Sequence, residues 1–304
     1  MNNLVVRTVS GIVFLAVMVF GLIWDRAIFA CLFVTILVIA LHEFYNMPLK
    51  NRFRMQQILG MIAGGGAFLL VAWHCFYGLD LRWLALVLIP LLLIPVSCLL
   101  LPSREGFGDL AYIYAGLVYI ALPISFAPFV VMDGEVFDGW LMLSLFILIW
   151  CCDVGAYCIG TAFGQKPNSR RLAPSISPKK SWWGFWGGVV FCVAAAVGLH
   201  YLTWLPFSLI HCIAIGVVVG VFCVCGDLFE SMWKRHFGYK DSGNCIPGHG
   251  GMLDRFDSSL AAIPAACIYL LMFGLLCDWT RIHTEPCCWY TLSVPLLFFF
   301  SPFS

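Results

Sequence analysis

Nine charged side chains fall in one stretch of the chain: Asp227, Glu230, Lys234, Arg235, Lys240, Asp241, Asp254, Arg255 and Asp257. On either side of the stretch the sequence is almost pure hydrocarbon. If the apolar run that ends at Asp227 continues as a helix, Asp227, Glu230, Ser231, Lys234 and Arg235 fall at i, i+3, i+4, i+7 and i+8, which is one face. The next run opens with Asp254, Asp257 and Ser258, again at i, i+3 and i+4. Joined as a hairpin, the two helices can bring Asp227 to Asp254. Two carboxylates with cations close by suit magnesium carrying a polyphosphate. That ion takes one or two carboxylates and completes its shell with water and phosphate oxygens, while Lys and Arg neutralise the rest. Between the helices, Gly243, Pro247, Gly248, Gly250 and Gly251 make a turn whose backbone can approach an anion closely. The start of the second helix adds its positive dipole end. His249 in that turn is either a phosphate contact or a hydrogen-bonded structural residue. The plainer alternative makes all these charges juxtamembrane residues that pair with each other and with lipid headgroups. Coinciding glycines, a histidine and same-face carboxylates weigh against it.

A second patch supports the first. ILIWCCDVGAYCIGTAFG places Asp153 inside an apolar run, where an acid is costly, and RRLAPSISPKKSWWG follows with Lys179 and Lys180. Asp153 is either a satisfied packing carboxylate or a functional one, and the two lysines either enforce topology or grip a phosphate. Other chemistries fail on spacing. Gly160 to Lys166 is one residue short of a Walker A loop and lacks its Ser or Thr, and Cys245 with His249 has no second ligand pair for zinc.

The elements that must position these residues are membrane helices. The chain has 304 residues, 62% hydrophobic and 11% charged, with a mean hydropathy of +0.94. A soluble globular protein is nearer a quarter charged. The expected fold is all-α and polytopic, with about nine spans: Thr8–Trp24, Ala27–Tyr45, Ile58–Leu79, Trp83–Leu101, Leu110–Met132, Trp140–Gly160, Trp182–Trp204, Phe207–Asp227 and Ser258–Cys277. The first run is long for a signal sequence and lacks a small-residue cleavage site, so it is kept as the first span. Nothing marks a second domain or an internal repeat. Residues 1–277 read as one membrane domain, with spans to 132 and a catalytic part over 140–277. The tail, 278–304, carries Pro295 and Pro302 and is expected to lie in the interface. Most of the fifteen cysteines sit in spans as small hydrophobes, with Cys287 and Cys288 the pair worth testing for oxidation. Gly64-Gly65-Gly66 and Gly184, Gly187 and Gly188 read as close helix packing.

The net charge of +1 says little about partners, but its distribution fixes an orientation. With nine spans, Arg7, Lys50, Arg52, Arg54, Arg104, Lys166, Arg170, Arg171, Lys179, Lys180, Lys234, Arg235, Lys240 and Arg255 share one side. Only Arg26, Arg82 and Arg281 lie opposite. The positive-inside rule puts the first side, with the N-terminus and the charged loop, in the cytosol. Nucleic acid is not an expected partner, and a homo-oligomer is compatible with the sequence.

Ser231 to Asp257, SMWKRHFGYKDSGNCIPGHGGMLDRFD, resembles the signature of the phosphatidate cytidylyltransferases, the integral-membrane CDP-diacylglycerol synthases. Gly226-Asp227-Leu228, Asp153 to Tyr157 and Ser177-Pro178-Lys179-Lys180 are similar to family segments in the same order, while Trp233 departs, where the family has a smaller aliphatic or Phe. The likeness is specific from Asp153 to Ser258. It implies that CTP and phosphatidate give CDP-diacylglycerol and pyrophosphate in the cytoplasmic membrane, with magnesium required and Asp227 and Asp254 as its ligands. On that implication Lys234, Arg235, Lys240 and Arg255 take phosphate groups, with Ser231, Lys180, Asp153 and His249 behind them, and Lys179, Gly250 and Gly251 on the substrate side. A lipid kinase is the near alternative. A transporter is the distant one, but it would carry charges near the bilayer midplane and paired halves.

Overall fold

Backbone N–H and C=O groups find no water inside hydrocarbon, so apolar runs of this length satisfy their own hydrogen bonds as helices. The computed structural model describes residues 3–100, 107–133, 136–166, 169–248 and 250–276. Among these residues the chain forms nine helical segments and two short hairpins. The helices are α1 (Asn3–Ile23), α2 (Arg26–Leu49), α3 (Arg54–Tyr77), α4 (Leu81–Ser97), α5 (Phe107–Val130), α6 (Trp140–Ala162), α7 (Trp182–Tyr201), α8 (Leu209–His236) and α9 (Leu253–Met272). Strands β1 (Met132–Asp133) and β2 (Val136–Phe137) pair antiparallel before α6. Strands β3 (Arg171–Ala173) and β4 (Ser177–Ser181) do the same before α7.

Seven of the nine, α2, α3 and α5 to α9, are long and apolar enough to cross a membrane. The expected spans Thr8–Trp24 and Trp83–Leu101 correspond to shorter apolar helices, Arg7–Ile23 and Leu81–Ser97. α4 is short in residues but not in reach. Its first seven residues, Leu81–Val87, form a 3₁₀ helix, and α-helix follows from Leu88 to Ser97. At about 2.0 Å per 3₁₀ residue and 1.5 Å per α residue the segment is about 29 Å long. The expected tail segment and the Cys287–Cys288 pair lie outside the described residues.

Polar contacts fix which helix ends lie together. At one end, Ser10 Oγ donates to the Pro247 carbonyl (2.9 Å) and the Leu253 amide donates to Glu43 (2.8 Å). Gln56 donates to Ser97 (2.9 Å) and Arg52 pairs with Asp109 (3.1 Å). At the other end, Arg26 donates to the Phe76 carbonyl (2.7 Å), Phe29 meets Phe137 with ring centroids 6.0 Å apart, and Trp140 meets Trp204 at 4.7 Å. Each helix therefore runs against its predecessor. Start signals agree with the chain order: Asp25 caps α2 through the Ala27 amide (2.7 Å), and Ser181 caps α7 through that of Gly184 (3.2 Å).

Packing is tightest in the second half, where glycines let backbones approach. Cβ atoms at Gly184, Gly187 and Gly188 of α7 would press on Ala156, Ile159 and Cys152 of α6, and one at Gly220 of α8 on Val189 of α7. In the first half α2 is central, burying Phe29, Phe33, Leu37, Leu41, Phe44 and Tyr45, while Gly64 of α3 packs on Leu41 and Ala121. Small residues at such interfaces supply the van der Waals contact that holds helices together in lipid. Ile12, Leu92, Val118, Val190 and Ile210 point outward and are exposed, as a surface facing hydrocarbon requires.

Candidate active site

α8 does not stop where its hydrocarbon run ends. It continues to His236, more than two turns past Asp227, so Asp227, Glu230, Ser231 and Lys234 stand on one face. Against that face lies the start of α9. Gly226 packs so closely on Asp257 and Ser258 that a Cβ there would meet the Asp257 carbonyl. This crossing sets Asp257 beside Asp227 and leaves Asp254 one turn away, beside Lys234.

Lys234 is buried, its ammonium 2.5 Å from Glu230 and 2.6 Å from Asp254. The second oxygen of Asp254 accepts from the amides of Ser242 (2.9 Å) and Gly251 (2.8 Å). Asp227 is ion-paired with Lys180 of β4 and accepts from Ser231 (3.3 Å). Asp153, on α6, accepts from the Cys223 thiol (3.5 Å), and Asp257 accepts from the amide of Ser258 (2.6 Å). Asp227 acts electrostatically on both Asp153 and Asp257. Among the described residues no Lys or Arg is in ion-pair distance of Asp153 or Asp257.

A cavity of about 220 Å³ opens here. It is lined by Asp153, Asp254, Arg255 and Asp257 together with Gly11, Phe14, Trp150 and Ile246. It brings α1, α6, the loop and α9 to one place, and its lining mixes charged with apolar side chains.

A family model described as the cytidylyltransferase family matches residues 5–273. The chain belongs to that family. Among curated relatives it is similar to the "Phosphatidate cytidylyltransferase" of Bacillus subtilis (strain 168), 31% identical over 272 residues, covering 88% of this chain and 98% of the relative. It is 32% identical over 270 residues, with the same coverage, to the protein of that name in Staphylococcus aureus (strain COL). The likeness to Staphylococcus epidermidis (strain ATCC 35984) is 30% over 271 residues.

Within this family member the expected site residues divide. Asp153, Asp254 and Arg255 line the cavity, with Asp227, Ser231 and Lys180 next to it. Asp227 and Asp254 engage different lysines, Lys180 and Lys234, and Asp257 lies close enough to Asp227 to act on it electrostatically. Lys234 is held by two carboxylates within the protein. Arg235 is exposed and donates to the Tyr239 carbonyl (3.0 Å), Lys240 is exposed, and Lys179 is exposed on β4, where its carbonyl accepts from Gln165 (3.1 Å). His249 lies outside the described residues. Among the described residues no three His, Cys, Asp or Glu side chains are already gathered as a metal-binding group.

The glycine turn has a structural account. Gly248 and Gly250 have φ of +77° and +82°, in the left-handed region that favours glycine. A Cβ at Gly251 would fall on Ser242 and Glu43, and the Gly251 amide is taken by Asp254. Nor is the start of α9 open to an anion, because the amides of Met252 (3.0 Å) and Leu253 (2.8 Å) donate to Glu43. Glu43 is not among the residues that the motifs in the sequence single out. An acid within an apolar run was the signal that could have found it.

Proposed function

We propose that this chain transfers the cytidylyl group of CTP to phosphatidate, giving CDP-diacylglycerol and pyrophosphate. The cavity carries the reading: its carboxylates and Arg255 suit a triphosphate with its counter-ion, and Gly11, Phe14 and Trp150 in the same lining suit a lipid arriving from the bilayer. A phosphate oxygen of phosphatidate forms the new bond to the α-phosphorus. The bond from that phosphorus to the β-phosphate oxygen breaks, and pyrophosphate leaves with the electron pair. A phosphate monoester is nucleophilic near neutral pH, so the protein's task is positioning and charge neutralisation.

The residues that would hold magnesium are Asp227, Asp254 and Asp257, with Asp153 beside them. Magnesium needs only one or two carboxylates, so a ready-made group of three is not required. The donors fit: all are hard oxygens, two of the four acids have no Lys or Arg within ion-pair distance among the described residues, and Lys180 already places a cation against Asp227. Bound there, the ion would neutralise triphosphate charge. Arg255 lines the cavity and takes a phosphate oxygen, while Lys179, Lys240 and Arg235 supply positive potential at its approach.

In this reading all nine helical segments cross the cytoplasmic membrane, with the N-terminus and the site on the cytosolic side. Two observations support it. The helices alternate in direction, and the site end carries every described Lys and Arg except Arg26 and Arg82. Purified protein given phosphatidate and CTP labelled at either the α- or the γ-phosphorus tests the reaction. Label in the lipid from the α position alone is expected; label from the γ position would make the protein a lipid kinase.

A further inference from the structure

Glu43 sits in the penultimate turn of α2, in the half of the chain remote in sequence from the charged loop, and is 7% exposed. Its neighbours anchor it. Tyr45 donates to the Ile113 carbonyl of α5 (2.9 Å), and Phe44 stacks on Trp233 of α8 with ring centroids 4.3 Å apart. From this fixed point the carboxylate collects three donors. Oε1 accepts from the Met252 amide (3.0 Å), and Oε2 accepts from the Leu253 amide (2.8 Å) and the Ser242 hydroxyl (3.0 Å).

These donors immediately precede the cavity residues. Met252 and Leu253 are the two residues before Asp254 and Arg255. Ser242 is shared, its hydroxyl going to Glu43 and its amide to Asp254. A continuous run of contacts thus links Glu43 through Ser242 to Asp254, Lys234 and Glu230. Glycine at 243 and 251 makes the approach possible, because a Cβ at either position would fall on the Glu43 carboxylate. No Lys or Arg among the described residues pairs with Glu43. Three hydrogen bonds and the positive end of α9 meet its charge.

We propose that Glu43 is a positioning residue for the cytidylyl-transfer site: it holds the start of α9 and the Ser242–Gly251 turn in register, so that Asp254 and Arg255 face the cavity. The inference rests on the proposed reaction, and the test separates the two. Glu43→Gln keeps the shape but turns an N–H₂ group toward N–H donors. The expected result is a folded, monodisperse protein whose kcat/KM for CTP falls about 10²-fold, as for a small misplacement of reacting groups, with KM for phosphatidate unchanged. Glu43→Asp restores part of the loss, and Ser242→Ala gives a smaller loss of the same kind. Cys245, exposed in the turn, reports its order, with Cys31 and Cys158, exposed elsewhere, as internal references. In detergent, N-ethylmaleimide is expected to modify Cys245 faster in Glu43→Gln than in the parent while the references keep their rates. Unchanged kcat/KM with unchanged Cys245 reactivity overturns the proposal. So does a uniform rise at all three cysteines with KM for CTP unchanged, which is what a merely structural role gives. If Glu43→Gln does not fold, Ser242→Ala carries both readouts. If the parent makes no CDP-lipid, the proposed reaction fails, and the Cys245 comparison still decides whether Glu43 holds the turn.

Discussion

Lys234 and Arg235 are adjacent basic residues, and the sequence gives no reason to separate them. The fold does. Lys234 is shut between Glu230 and Asp254, whereas Arg235 is exposed and donates to the Tyr239 carbonyl. Removing one partner of a buried ion pair leaves uncompensated charge and costs about 3–5 kcal/mol. Lys234→Met is therefore expected to lower the thermal midpoint in detergent steeply. Arg235→Ala, a surface change, is expected to stay within about 0.5 kcal/mol of the parent. Equal midpoints for the two variants would contradict the burial of Lys234. The same distinction applies to the acids. Asp254 carries both Lys234 and two backbone amides, so its replacement mixes stability with chemistry, while Asp257, among the described residues, accepts only from the amide of Ser258 and gives the cleaner variant.

At the scale of elements, the crossing of α8 and α9 decides which acids share the cavity. Gly226→Ala puts a methyl group on the Asp257 carbonyl and must push the helices apart. A loss of about 10²-fold in turnover is expected, in line with misplacement of reacting groups. Gly198→Ala on α7 meets nothing within 4 Å, and it is expected to keep full turnover and gain about 0.5–1 kcal/mol in stability by removing a helical glycine. Indistinguishable turnover in these two variants would mean that the crossing does not set the site. The elements themselves were largely legible, because apolar runs and charged breaks announce membrane helices. Two features were not. α4 gains length per residue through its 3₁₀ start at Leu81–Val87, which no apolar count reveals. The close approach of Asp257 to α8 at Gly226 depends on how α8 and α9 cross. The face of Asp227, Glu230, Ser231 and Lys234 could be read from spacing, but the register of a hairpin is fixed by packing at Gly226, a tertiary fact. Glu43 shows the same limit from the other side, since its donors come from residues about two hundred positions later in the chain.

For the whole molecule, direction and charge combine. The end that holds Arg7, Arg52, Lys180 and the loop collects the basic residues, and the opposite end holds Arg26 and Arg82. If that end faces the cytosol, as proposed from the positive-inside rule, a membrane-impermeant maleimide applied to intact cells is expected to spare Cys245 and to modify the variant Asp80→Cys at that position. The reverse pattern would invert the molecule. The central claim is that acids from α6, α8 and α9 converge at a cavity with apolar residues in its lining to pass a nucleotide to a lipid. It is tested most directly by following the α-phosphorus label of CTP into phosphatidate, with purified protein in magnesium and again after chelation. The account predicts labelled CDP-diacylglycerol only when phosphatidate and magnesium are both present. Undiminished labelling of the lipid after chelation, or none in magnesium, would contradict it.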